Sequence, residues 1–361
     1  MKKILLTPGP LNISKRVKNK MLFDYGSRDT NFNDSVYKLR KKLVNLITNN
    51  SEKYTSVLIP GSGTYAIESV LSSTISNNNK LGLLINGAYG KRMNTITDIY
   101  NINTIPYIIP ENESFQVSHI DKLLWKHPDI TNIGIVHCET TTGILNNVNG
   151  IGEYLKDIKK TFFVDCMSSF GGIPIDIEKC NIDYLVSSSN KCLHGPPGLS
   201  FCIANKNHLE KCDGIPKTIS LDLYSQWKNF EENNQFRFTP PTHVVMALYE
   251  AVLELEELGG IKERNKQYKQ YNKIFSEELE KIGFEKYLKE NQSEIITTWK
   301  YPKENFNFND FYNYLRDNDI LIYPGKLSNE NVFRIGNIGD LSENDINYSI
   351  NKIKEYYFNT K

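Results

Sequence analysis

Through the first two thirds of the chain, short apolar runs alternate with stretches of helical spacing. Residues 54–59 (YTSVLI) form a β-branched run stopped by Pro60 and Gly61, and residues 65–72 then read as a helix. Residues 81–85 (LGLLI) end at Asn86-Gly87, and 132–137, 161–164, 182–187 and 199–204 repeat the pattern. Continuous apolar runs bounded by turn residues predict strands buried on both faces. Helical stretches between them, such as 151–159, supply the crossovers of a mostly parallel sheet flanked by helices, an α/β architecture.

After about residue 240 the character changes. Residues 244–258 (VVMALYEAVLELEEL) have helical spacing and stop at Gly259-Gly260. Residues 264–281 read as a polar amphipathic helix, and 294–299, 320–323 and 332–335 as strands of a smaller α+β unit. The expected division is a large domain over 1–255, including the N-terminal segment, and a small C-terminal domain over 256–361. No internal repeat is visible, which argues against solenoids and propellers.

Composition narrows the function classes. In 361 residues, 43 Lys and Arg stand against 42 Asp and Glu, a formal net charge of +1. Nucleic-acid binders carry a basic excess or stripe, so no nucleic-acid partner is expected. The opening MKKILLTPGPLN has an apolar run only from Ile4 to Leu6, short of the roughly 7–15 residues of a secretory core. No run approaches the roughly 18 apolar residues needed to span a bilayer. The six cysteines, Cys138, Cys166, Cys180, Cys192, Cys202 and Cys212, form no Cys-x-x-Cys pair. They read as reduced thiols of a cytoplasmic protein.

Three constellations carry candidate chemistry. Pro60-Gly61-Ser62-Gly63-Thr64 follows a strand and opens a helix; its N–H groups and the positive helix end favour a phosphate, and the hydroxyls of Ser62 and Thr64 add donors. A Gly-rich turn without a ligand is the plainer alternative. The string also fits G-x-G-x-x-A through Ala66, but the next strand ends in Asn86-Gly87 instead of the ribose-binding acid of a nicotinamide enzyme. Phe162-Phe163-Val164-Asp165 places an acid at a strand end, as a ligand group or as a turn residue. In Ser187-Ser188-Ser189-Asn190-Lys191, small polar residues leave room around a lysine that precedes a Gly/Pro turn. A phosphate cradle, a strand-end acid and a strand-end amine together meet the needs of pyridoxal 5′-phosphate (PLP): phosphate donors, a carboxylate for the ring nitrogen and an amine for the aldehyde. Tyr89, in NGAYG, lies at another strand end and can stack on the ring or simply pack.

The order LLTPGPL, IPGSGT, NGAYGKRM, HCETTTG, FVDCMSSFGG, SSSNKCLHGPPG, RFTPPTH and FRIGNIGD resembles the class V aminotransferases of PLP fold type I, over nearly the whole chain. The DCMSSFGG, SSSNKC, SLDLYSQW and RFTPPTH blocks resemble the subgroup that takes 2-aminoethylphosphonate as amino donor and pyruvate as acceptor, so the resemblance implies those two small-molecule substrates. It implies that Lys191 holds the cofactor aldehyde, that Asp165 pairs with the ring nitrogen, that Ser62, Gly63 and Thr64 hold the phosphate, and that Tyr89 covers the ring. Thr140 would reach the ring hydroxyl, with Thr141 as the alternative. Thr239 would reach the phosphate of a neighbouring subunit, which implies a homodimer with shared sites. Arg334 would bind the substrate's acidic group through its planar fork, and Arg28 is a second anion contact or a surface residue paired with Asp29.

Two other readings remain at this level. An alanine–glyoxylate or serine–pyruvate aminotransferase would share every cofactor contact. A cysteine desulfurase has the same fold but usually carries His before its lysine, where this chain has Asn190.

Overall fold

The computed structural model describes residues 3–325, 327 and 330–359. Its central sheet has seven strands, in the spatial order Tyr54–Pro60, Leu199–Asn205, Tyr184–Ser188, Thr161–Asp165, Asn132–Val136, Leu81–Ile85, Thr104–Ile108. Only Leu199–Asn205 runs against its neighbours. The inner strands are buried along their length, which is why they read as unbroken apolar runs. The mostly parallel α/β sheet expected from the pattern is therefore present.

The strand Thr104–Ile108 escaped the sequence reading. It is an edge strand, half-exposed, and carries Pro106, which an edge tolerates because one side of the backbone needs no partner. Helices cover the sheet: Thr30–Asn45, Gly63–Thr74, Ala88–Ile99, Val148–Asp157 and Thr242–Glu257 all bury apolar faces in one core.

A second core lies between the helices Ile261–Glu280, Phe308–Asp317 and Glu343–Asn359 and a three-stranded antiparallel sheet, Ile296–Lys300, Val332–Gly336 and Tyr323–Pro324. Ile4 and Leu6 belong to this second core, because Ile4–Leu5 pairs in parallel with Ile320–Leu321. The chain thus starts on the C-terminal unit and then crosses to the large sheet. Every cysteine is buried and free. Among the described residues no helix is long and apolar enough to cross a membrane.

The candidate active site

All parallel strands of the central sheet end at one edge, and the sequence motifs follow those ends. Pro60-Gly61, Asn86-Gly87, His137 to Thr142, Asp165 and Ser189 to Lys191 therefore meet there, where open α/β sheets place ligands. The convergence is a consequence of topology: segments far apart in the chain leave parallel strands of one sheet in the same direction.

The first turn of the helix Gly63–Thr74 forms the cradle. Gly61 has φ +124°, which turns the chain away from the strand. Ser62 occupies the cap position, yet its hydroxyl makes no capping hydrogen bond. The N–H groups of the first turn thus lack the side-chain acceptor that normally satisfies them, an arrangement that suits an external anion. A methyl group at Gly63 would collide with Met167 Sδ, so the cradle and the loop after Asp165 are in close contact.

Asp165 is 1% exposed and accepts the Met167 N–H at 2.8 Å. Burial pushes its carboxyl up to about 6, although that N–H and the charges of Arg92 and Lys191 draw it down. A protonated ring nitrogen beside this buried acid would favour its carboxylate form. Lys191 is half-buried; its Nζ donates to the Pro8 carbonyl at 2.6 Å. A Cβ on Gly9 would lie 2.7 Å from Lys191 Cδ, so the N-terminal segment covers the lysine.

Glu139, fully buried between His137 and Thr140, had no role in the sequence reading. It accepts the Tyr89 N–H at 3.1 Å and the Thr141 hydroxyl at 2.9 Å, and burial raises its carboxyl to about 7. The Thr141 hydroxyl is thus committed to Glu139, and Thr140 beside it is 2% exposed. Arg334, 2% exposed on the strand Val332–Gly336, donates from Nη1 to the Thr140 carbonyl at 3.2 Å and from Nε to the Pro324 carbonyl at 3.1 Å. That bond carries the second unit to the edge of the site. Burial lowers the guanidinium's pKa, and Tyr89, Tyr323 and Glu139 oppose the change.

A further buried cluster ties the lysine loop to the second unit. His194 has φ +61°; its Nε2 accepts from the Gly339 N–H at 3.1 Å and is in hydrogen-bond contact with the Tyr268 hydroxyl. Arg264 Nη1 donates to the Cys192 carbonyl at 2.7 Å. Among the described residues no hydrogen bond ties two of the predicted residues, Arg28 and Thr239, to this assembly. Arg28 is exposed on the loop before the helix Thr30–Asn45, and Asp29 caps that helix. Thr239 is exposed beside Phe238, itself 51% exposed. A further guanidinium, Arg92, for which the motifs give no role, joins the cradle: it donates to the Thr64 hydroxyl at 3.3 Å and lies 5.0 Å from the Tyr89 ring centroid.

An open phosphate cradle, a buried acid at a strand end and a covered amine fit PLP. Residues 18–340 match the family described as Aminotransferase class-V, and the chain belongs to that family, whose enzymes imply PLP as cofactor. Among curated relatives, it is 48% identical over 98% of its length to a bifunctional phosphonoacetaldehyde hydrolase/aminoethylphosphonate transaminase of Clostridioides difficile, of whose length the match spans 56%. It is 45% identical over 98% of its length, and 97% of the other's, to a 2-aminoethylphosphonate–pyruvate transaminase of Bacillus cytotoxicus. An alanine–glyoxylate aminotransferase structure from Nostoc sp. superposes with a TM-score of 0.91 at 22% identity, covering 98% of this chain and 95% of that one. That likeness places the fold among PLP fold type I enzymes.

Proposed function

We propose that the protein moves the amino group of 2-aminoethylphosphonate to pyruvate, giving phosphonoacetaldehyde and L-alanine, reversibly, in two half-reactions at one site. The observation that carries this reading is the 45% identity, over 98% of the chain, to a transaminase named for that pair of substrates. The site supports it with one buried guanidinium, Arg334, placed beside the cofactor residues.

When bound, PLP would supply an electron-withdrawing ring that acidifies the carbon–hydrogen bond beside the amine. Lys191 Nζ would anchor the aldehyde and, once displaced, take the proton from the donor's amino-bearing carbon and return one in the second half-reaction. Asp165 would hold a proton on the ring nitrogen, and that cation would lower the acid's own pKa again. Ser62, Gly63 and Thr64 would hold the phosphate, Tyr89 would cover the ring, and Thr140 would reach its hydroxyl. Arg334 has committed two of its five donors to carbonyls. The remaining fork would serve a phosphonate in one half-reaction and a carboxylate in the other.

The same reading includes a homodimer in which exposed Thr239 reaches the partner's phosphate site, and a chain divided near residue 255. Two separate apolar cores support a division there, except that the N-terminal segment goes with the second unit, since Ile4 and Leu6 pack in its core. Six buried free thiols suit a reducing cytoplasm.

Initial rates with 2-aminoethylphosphonate and pyruvate should give parallel double-reciprocal lines and one alanine per aldehyde. Turnover of alanine or serine with glyoxylate, and none of 2-aminoethylphosphonate, would overturn the substrate assignment.

A further inference from the structure

We infer that Arg92 is the cation of the phosphate cradle and ion-pairs with the phosphate monoester of PLP, an assignment that rests on the cofactor reading above. Arg92 stands in the first turns of the helix Ala88–Ile99, beside the helix that carries the cradle. Its Nη1 donates to Thr64 Oγ1 at 3.3 Å, and its guanidinium carbon lies 5.0 Å from the centroid of Tyr89. The side chain is exposed, and among the described residues no carboxylate forms a salt bridge with it.

Charge arithmetic makes that placement consequential. A phosphate monoester near neutral pH carries close to two negative charges. The end of the helix Gly63–Thr74 offsets about half a charge, and the hydroxyls of Ser62 and Thr64 are neutral. Lys191 is reserved for the aldehyde and Asp165 is an acid, so neither completes the balance. Arg334 donates to the Thr140 and Pro324 carbonyls, and Arg28 is not hydrogen-bonded to the cluster. Arg92 is the cation already bonded to a cradle residue. Its charge also bears on Asp165, ahead of that of Lys191. The bond to Thr64 and the contact with Tyr89 fix the guanidinium in advance, which lowers the ordering cost of binding an anion. Arginine suits the task because its fork can hold the Thr64 hydroxyl and phosphate oxygens at once.

A phosphonate substrate has the same tetrahedral dianion, so the experiment must separate the two sources. Apoprotein of the wild type, Arg92→Met and Arg92→Lys would be titrated with PLP and with pyridoxal, which lacks the phosphate, following absorbance of the lysine-bound cofactor. The inference predicts that Arg92→Met weakens PLP about 10- to 100-fold, the loss of a charge-assisted bond, while pyridoxal affinity changes less than about twofold. Arg92→Lys recovers part of the loss. Equal weakening toward both compounds would overturn the inference, because the role would then run through the Tyr89 ring. Unchanged PLP affinity with a raised KM for 2-aminoethylphosphonate alone would also overturn it, moving the contact to the substrate. A wild type that binds no PLP would instead sink the cofactor reading itself. Apoprotein unfolding curves check that each variant folds.

Discussion

Asp165→Asn gives a prediction whose sign runs against intuition. Asp165 is buried, and its carboxyl is raised from 3.8 to about 6, chiefly by burial. A folded-state value above the unfolded one means that the folded protein holds its proton longer. The associated stability is fully present below pH 3.8 and is lost as pH rises through 6. A rise of about two units amounts to about 3 kcal/mol at about 1.36 kcal/mol per unit, of which roughly half is lost between pH 5 and pH 8. Asn keeps the shape and the acceptor for the Met167 N–H but cannot ionise. In the cofactor-free protein, Asp165→Asn should therefore gain about 1 to 2 kcal/mol on the wild type between pH 5 and pH 8. Urea unfolding at both pH values, at matched protomer concentration, measures this directly. A stability difference that is flat with pH, or that moves the other way, refutes the argument. The same substitution should lower transaminase activity on the order of 100-fold, because the ring nitrogen loses its counter-charge.

Three further outcomes follow from particular contacts. Arg334→Lys should raise KM for both 2-aminoethylphosphonate and pyruvate at least about 10-fold, because a point charge cannot replace the fork; steady-state kinetics with unchanged KM for either substrate would remove Arg334 from that half-reaction. Gly63→Ala should change stability by less than about 1 kcal/mol, because the added methyl meets only the flexible end of Met167, which can swing aside; a loss above about 2 kcal/mol in urea unfolding would mean that Met167 is held rigidly over the cradle. Tyr268→Phe should cost about 1 kcal/mol, since it keeps the ring and removes the hydroxyl's hydrogen bond with His194 Nε2; unfolding curves identical to the wild type would remove that bond from the link between the lysine loop and the second unit.

The central sheet was legible because its strands are buried on both faces and so stand out as apolar runs; Leu81–Ile85 was read with its observed bounds. Thr104–Ile108 was not, since an edge strand with a proline loses both the continuous run and the β-branched signature. The cradle, Asp165 and Lys191 were recognisable because strand-end chemistry leaves local motifs. Glu139 carried no such signal: in HCETTTG a buried acid looks like any surface acid until the fold surrounds it. Arg92 was equally plain within NGAYGKRM, and only the meeting of two helices gives it Thr64 as a neighbour. The cover that Pro8 and Gly9 place over Lys191 depends on a pairing between residues 4–5 and 320–321, which no local pattern encodes.

The most direct measurement is a single turnover without acceptor. Purified holoenzyme mixed with excess 2-aminoethylphosphonate, in the absence of pyruvate, should release one phosphonoacetaldehyde per protomer and then stop; pyruvate added next should yield one L-alanine per protomer. Lys191→Ala should give neither in the same time. Aldehyde that forms only when pyruvate is present, or a burst unchanged in Lys191→Ala, would contradict a transfer routed through Lys191.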